Sequence, residues 1–278
     1  MAQFTYKIVE EDCTIDQLLR EKWQAGKKTV HAMRMAKSVT NEKGEPLHWQ
    51  ETLPIDMIVH FTIPETTSTY IEDSIDIKVV YEDEHILAVW KPAGIATHPS
   101  SANETGTLMN RVFHYIKQHG GDYAEHIHRL DKGTEGVLLV AKHPIAKTLF
   151  DRLIERNDIT RKYEAQLDGI LRRPRGTINR PIGKDRHHPT RRRVSPNGQQ
   201  AITHFKVIRR LENGTIVEAI LETGRTHQIR VHFAHLGHPV TGDTLYNGSE
   251  TESGIFHLTA TSLTFVHPFT LEPLTIHA

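Results

Sequence analysis

The segment HIHRLDKGTEGVLLVAK (126–142) sets Arg129 two residues before Asp131, beside glycines at 133 and 136 and ahead of the apolar run Val137–Ala141. The run reads as a buried strand, and the loop before it holds a carboxylate at the rim of a sheet. Such a carboxylate can accept a proton or attack an electron-poor carbon if it stays ionised, and burial opposes ionisation. By residue type alone, Asp131 serves equally well as a turn former or cap. Arg230, in TGRTHQIR (223–230), reads from periodicity as a surface residue of an amphipathic helix, and Tyr163, in RKYEAQLDG (161–169), as strand core. His227, His232, His235 and His238 lie close together, but they lack the tight paired ligands with cysteine or carboxylate that zinc requires, so no metal centre is expected.

The elements that must position these groups are short and mixed. Ile75, Ile77, Val79 and Tyr81 alternate with polar residues as in a half-buried strand, and His85–Trp90 is a more continuous apolar strand. Leu108, Val112, Tyr115 and Ile116 have helical spacing, as do Leu149, Phe150, Leu153 and Ile154 after Pro144. Arg161–Leu167, Ala201–Ile208 and Thr215–Leu221 read as strands, Thr226–Leu236 as a helix capped by Thr226, and Gly254–Val266 as closing strands. Without regular βα alternation, the pattern predicts an α+β fold on a mixed, mostly antiparallel sheet flanked by helices.

Residues 1–65 read as a small α+β module. Ile15, Leu18 and Leu19 suggest a short helix capped by Asp12 or Thr14, Asn41–Gly44 a turn, and Ile55–Ile63 a strand. A linker follows over 66–74, and the main unit covers 75–278. The module is acidic: residues 1–87 hold 16 acids against 9 Lys/Arg. Residues 161–193 hold 11 Lys/Arg, among them Arg191, Arg192 and Arg193, against three acids, a surface suited to phosphates that the zero net charge conceals. No apolar run approaches the ~20 residues needed to span a bilayer. The start, MAQFTYKIVEED, has no signal-peptide pattern, and the single cysteine, Cys13, cannot form an internal disulfide. A cytoplasmic location is expected.

HRLDKGTEG is similar to the signature of the RluA/RluD-type pseudouridine synthases, with Glu135 where that family has serine. Four further segments resemble the family's motifs in order: 79–100 (with Trp90 where asparagine is common), 161–169, 180–208 and 221–248. VTNEKGEPL (39–47) and LPIDMIVHF (53–61) resemble the turn and final strand of the alpha-L RNA-binding module.

The resemblance implies an isomerase that detaches uracil from its ribose in RNA, turns it and rejoins it through a ring carbon, with no cofactor. It implies that Asp131 is the catalytic carboxylate, acting as nucleophile or as base. Arg230 would pair with Asp131, Tyr163 would stack on the base, and Arg129 would fill the gap left by the flipped nucleotide. Ile229 would line the uracil pocket, while His128, Arg225 and Arg191–Arg193 would contact RNA. The substrate would be ribosomal or transfer RNA, and the protein a monomer. An RNA-binding or ribosome-assembly protein on the same scaffold is the alternative. A glycoside hydrolase would need a second carboxylate; Asp243 is the nearest, and by resemblance it is a turn residue.

Overall fold

The computed structural model describes residues 2–9, 13–64 and 67–278. In its first part, strands β1 (Ala2–Lys7), β3 (Val39–Thr40) and β5 (Ile58–Ile63) form a three-stranded sheet, while β2 (Cys13–Thr14) pairs with β4 (Thr52–Leu53). The short helix α1 (Ile15–Gln17) is capped by Thr14, whose hydroxyl accepts the Gln17 N–H while the Gln17 side chain accepts the Thr14 N–H. Asp12, the other expected cap, lies outside the described residues. Helix α2 (Lys27–Met35) buries Val30 and Met33.

Residues 67–77 run as an extended strap, not as the strand expected from residue 75. Ser68 exchanges hydrogen bonds with Ala124, and the Asn110 amide donates to the Ile71 carbonyl. With its backbone held this way, Ile75 is left exposed, and regular pairing starts only at β6 (Lys78–Glu82).

β6 and β7 (Ile86–Lys91), helix α3 (Leu108–Gln118), β8 (Glu125–His126), β9 (Glu135–Ala141) and helix α4 (Pro144–Glu155) form one half of the main unit. The other half comprises β10 (Thr160–Asp168), β11 (Arg175–Asn179), the hairpin β12 (Ile182–Lys184) with β13 (Arg192–Val194), β14 (Ile202–Arg210), β15 (Gly214–Leu221), helix α5 (Gln228–His235), β16 (Leu258–Val266) and β17 (Pro273–His277). Together the described residues form a ten-stranded sheet, ordered β11-β14-β15-β10-β16-β9-β7-β6, with β17 on β16 and β8 on β9. This is the expected α+β architecture.

The two antiparallel halves meet at one short parallel seam, where Thr259 and Ala260 of β16 face Glu135 and Gly136 of β9. Gly136 has φ 118°, and a Cβ there would stand 2.2 Å from the Ala260 carbonyl oxygen, so only glycine lets the strands approach. Asp131 is in the loop that enters this seam.

The sheet separates two cores by the period-two rule. Val137, Leu139, Ala141, Ile86 and Ala88 face the first part of the chain and α4. Leu138, Val140, Leu87 and Val89 face the opposite core, to which α3 and α5 contribute. The first core is sealed by aromatic rings: Phe4 stacks on His143 and meets Phe269 edge-on at 5.5 Å, while His85 stacks on Phe269. The described residues before 64 are thus built into the core of the larger unit. Among the described residues, no helix is long and apolar enough to cross a membrane.

Candidate active site

The 130–134 loop is pinned from below. The Thr97 hydroxyl donates to the Leu130 carbonyl and accepts its N–H, at 2.8 and 3.1 Å. Lys91, fully buried at the end of β7, donates to the carbonyls of Pro92, Ile95 and Lys132. Burial pushes the Lys91 ammonium down to about 8, against the pull of Asp131 and Glu135. The sequence carried a signal for Lys91, a charge closing a continuous apolar strand; a buried lysine needs such partners.

α5 supplies the opposing wall. It begins at Gln228, not at the expected Thr226, which is exposed and caps no helix N–H among the described residues. The Gln228 side chain instead ties the turn before the helix to β14: its oxygen accepts from Thr223 Oγ1 and the Arg225 N–H, and its nitrogen donates to the Ile202 carbonyl and Thr203 Oγ1. His227, the residue before the helix, is forced to φ 59°.

Loop and helix meet in a cleft of about 210 Å³, lined by Arg129, Asp131, Arg161, Tyr163, His227, Ile229 and Arg230 among others. Arg230 Nη1 donates to Asp131 Oδ2 at 3.0 Å. Its Nε and Nη2 donate to Asp243 at 2.6 and 2.9 Å. Arg230 is 6% exposed and Asp243 1%. Burial works against the guanidinium charge, but the hydrogen bonds and fields of Asp243 and Asp131 outweigh it and push its pKa up. Tyr246 and Phe256 flank the guanidinium at 5.0 and 4.5 Å from their ring centres. Asp131 Oδ1 receives no hydrogen bond from any described residue and remains available for chemistry.

Tyr163 is buried at a β-bulge, where the β10–β16 register shifts between Lys162 and Tyr163. Bulges re-aim side chains, and this one brings the ring to the cleft. Burial raises its phenol pKa. Ile229 is buried in the cleft wall. Arg129 and Arg225 are exposed where the cleft opens, Arg225 with its Nε on the Gln200 carbonyl.

His128 is placed differently from a free RNA contact. It is buried, its Nε2 accepts the Leu139 N–H, and burial drives its pKa to about 3, so it is a neutral wall of the cleft. Arg191, Arg192 and Arg193 lie outside the cleft, on the β12–β13 hairpin, around a neighbouring pocket of about 340 Å³ that includes Tyr246. Arg191 is paired with Asp185 at 2.7 Å. His232 bonds Thr203 and the Arg180 carbonyl, and no group of described residues could hold a metal ion. Sequence reasoning missed Asp243, His227 and Tyr246 as parts of the site.

The model of the RNA pseudouridylate synthase family matches residues 85–235, and that of the RluD ribosomal pseudouridine synthase N-terminal domain matches residues 2–58. The chain is 48% identical over 214 residues to the uncharacterized RNA pseudouridine synthase YhcT of Bacillus subtilis (strain 168), covering 76% of this chain and 71% of the relative. It is 38% identical over 185 residues to ribosomal large subunit pseudouridine synthase D of Pseudomonas aeruginosa, 66% of this chain and 58% of the relative. Among solved structures, human RNA Pseudouridylate Synthase Domain Containing 1 superposes with a TM-score of 0.60 at 25% identity, covering 77% of this chain and 85% of that one. Fold, ordered motifs and relatives agree: the chain belongs to the RNA pseudouridine synthase family, isomerases that act on RNA.

Proposed function

We propose that this enzyme converts uridines of large-subunit ribosomal RNA to pseudouridine in the cytoplasm, with Asp131 as its catalytic carboxylate. The observation that carries the assignment is the Asp131–Arg230–Asp243 array at the wall of the cleft. A fixed guanidinium holds Oδ2 at 3.0 Å and sets the direction of the carboxylate, leaving Oδ1 for the substrate. Asp131 either attacks the anomeric carbon or takes the proton of the neighbouring sugar carbon; the geometry suits both.

Tyr163 stacks on the uracil and Ile229 packs its edge. Arg129, exposed beside Asp131, fills the gap left by the flipped nucleotide and offsets an unstacking cost of a few kcal/mol. Arg225 and Arg191–Arg193 hold the flanking backbone, and His128 shapes the pocket floor. The first part of the chain acts as a front module that shares a core with the catalytic unit 75–278. Ribosomal RNA is favoured because the first part of the chain matches the N-terminal domain model of a ribosomal synthase, and relatives bear the large-subunit name.

Two measurements test the proposal. Asp131→Asn is expected to abolish pseudouridine formation while RNA affinity stays within threefold; turnover at the wild-type rate would remove Asp131 from the mechanism. Site-resolved pseudouridine mapping in cells with and without the protein is expected to lose a large-subunit site. Loss of a transfer-RNA site instead would correct the substrate, and loss of none would leave an RNA-binding protein on a synthase scaffold.

A further inference from the structure

His227 occupies the left-handed backbone region, at φ 59° and ψ 22°. Non-glycine residues seldom do so, and such strain persists where the surroundings enforce it. The ring is held from one side: Nδ1 lies 2.8 Å from the Tyr246 hydroxyl, whose oxygen accepts the Arg192 N–H at 2.9 Å. A backbone N–H can only donate, which leaves the phenol's own proton free for Nδ1; with that bond made, the imidazole carries its proton on Nε2. Burial lowers the His227 pKa, against the pull of Asp131, which keeps the ring neutral. Nε2–H borders the cleft, 3.8 Å from Asp131 Oδ2. That distance is too long for a hydrogen bond, so the carboxylate does not consume the donor.

We propose that His227 is a further catalytic residue: its Nε2–H donates to the uracil carbonyl beside the bond being broken, and then to the carbonyl beside the bond being made. This rests on Asp131 being the carboxylate. The anomeric carbon must sit against Asp131, and a donor next to that carboxylate is in reach of O2, the carbonyl flanking N1, with O4 across the ring. When the C1′–N1 bond breaks, its electron pair leaves with the base and spreads onto O2 and O4. A fixed donor in a site shielded from water stabilises that charge.

The detached ring then turns half a revolution about its C6–N3 axis. This exchanges N1 with C5 and O2 with O4, so O4 arrives where O2 was. The ring's electron pair forms the C1′–C5 bond, C5 gives its proton to the carboxylate, free again at this stage, and the carboxylate passes a proton on through solvent to N1, so that it ends as it began. His227 keeps its proton throughout. One immobile N–H thus serves both ends of an isomerisation, because uracil presents the same carbonyl outline before and after the turn.

The test is a cycle between side chain and substrate atom, by single-turnover rates. The probe is a large-subunit ribosomal RNA fragment carrying its modified position as uridine, 2-thiouridine or 4-thiouridine, sulfur being the poorer acceptor. On uridine, His227→Phe is expected to slow turnover by about 10²–10³-fold. His227→Gln, which keeps an N–H, is expected to recover at least tenfold of that loss. On 2-thiouridine and on 4-thiouridine the wild type should slow, and His227→Phe should slow at least fivefold less. Each variant is compared with itself on two RNAs, so any loss of folded protein cancels.

Additive effects at both sulfur positions, or His227→Phe within threefold of wild type, would overturn the proposal. Coupling at 2-thiouridine alone would overturn its second half, and coupling at 4-thiouridine alone its first. Active Asp131→Asn would instead sink the underlying assignment.

Discussion

Arg230 gives Asp243 two nitrogens, at 2.6 and 2.9 Å, and gives Asp131 one, at 3.0 Å. Asp243 therefore sets the plane of the fork, and the plane aims Nη1 at Asp131. A lysine supplies the charge without the fork. Asp243→Asn should cost about 3–5 kcal/mol of stability, because it breaks a buried pair and leaves the guanidinium only the part-exposed Asp131 as counter-charge. Arg230→Lys should keep most of the fold yet lose about 10²-fold in kcat, the scale set by one misplaced electrostatic group. Urea unfolding and pseudouridine assays on both variants check the two claims. Equal kcat losses with no stability difference would contradict the division of labour.

Arg129 is exposed at the cleft mouth, away from the Asp131–Arg230 contact. Its removal should act through flipping and leave the bond chemistry alone. Arg129→Ala is expected to slow modification of a uridine in a structured stem by about tenfold or more, and of a single-stranded oligonucleotide by less, since unstacking costs a few kcal/mol only where there is a stack. Equal losses on both substrates would remove the gap-filling role.

Burial holds His85 and His126 down to about 4 and His128 to about 3, against an ordinary 6.5. Below pH 6.5 the unfolded chain binds protons at these rings and the native state does not. Their stabilisation is therefore complete above 6.5 and is lost as pH falls towards 4. At pH 5, unfolding should take up about three protons from these groups. Partial burial raises the Asp83 pKa, yet His267 and the N–H groups of Ile86 and His85 outweigh it and hold the group at about 2, so its contribution fades only below 3.8. A melting series from pH 7 to 4 should show the slope, and His85→Gln should flatten it. A Tm independent of pH across that window would refute the assignment.

The alternating strands β10 and β15 and the continuous β9 were legible because burial on one face or two leaves a direct mark on residue order. So was Asp131, through the ordered motifs around it. The start of α5 was not. Thr226 has the right residue type for a cap, but the helix starts at Gln228, whose side-chain amide is anchored to Ile202 and Thr203, distant in sequence. Asp243 was read as a turn residue because its partnership with Arg230 exists only after the chain has folded back. The strand expected from Ile75 failed because Ser68 and Asn110 fix the strap in another direction.

The seam offers a sharper stability test than any side chain of the cleft. Gly136→Ala would place a methyl 2.2 Å from the Ala260 carbonyl oxygen, at a φ of 118° that alanine avoids. Backbone must move on one side or the other, and the loop carrying Asp131 enters at that point. The variant is expected to lose more than about 3 kcal/mol, beyond the ordinary range for single substitutions. Chemical denaturation measures it. A loss below 1 kcal/mol would show that the parallel pairing is dispensable.

Phe4, in the first strand, closes against Phe269, near the last. On the ribosome, the rings of Phe4, Trp23 and His143 emerge long before the partner that covers them. Contacts so far apart in sequence are slow to form and leave apolar surface open to wrong partners in the meantime. Closure of this core is therefore not vectorial: Phe4, Trp23 and His143 wait for a ring that is translated after Asp131, Arg230 and Asp243, so the residues of the active-site array are all made before the core beneath them can be sealed.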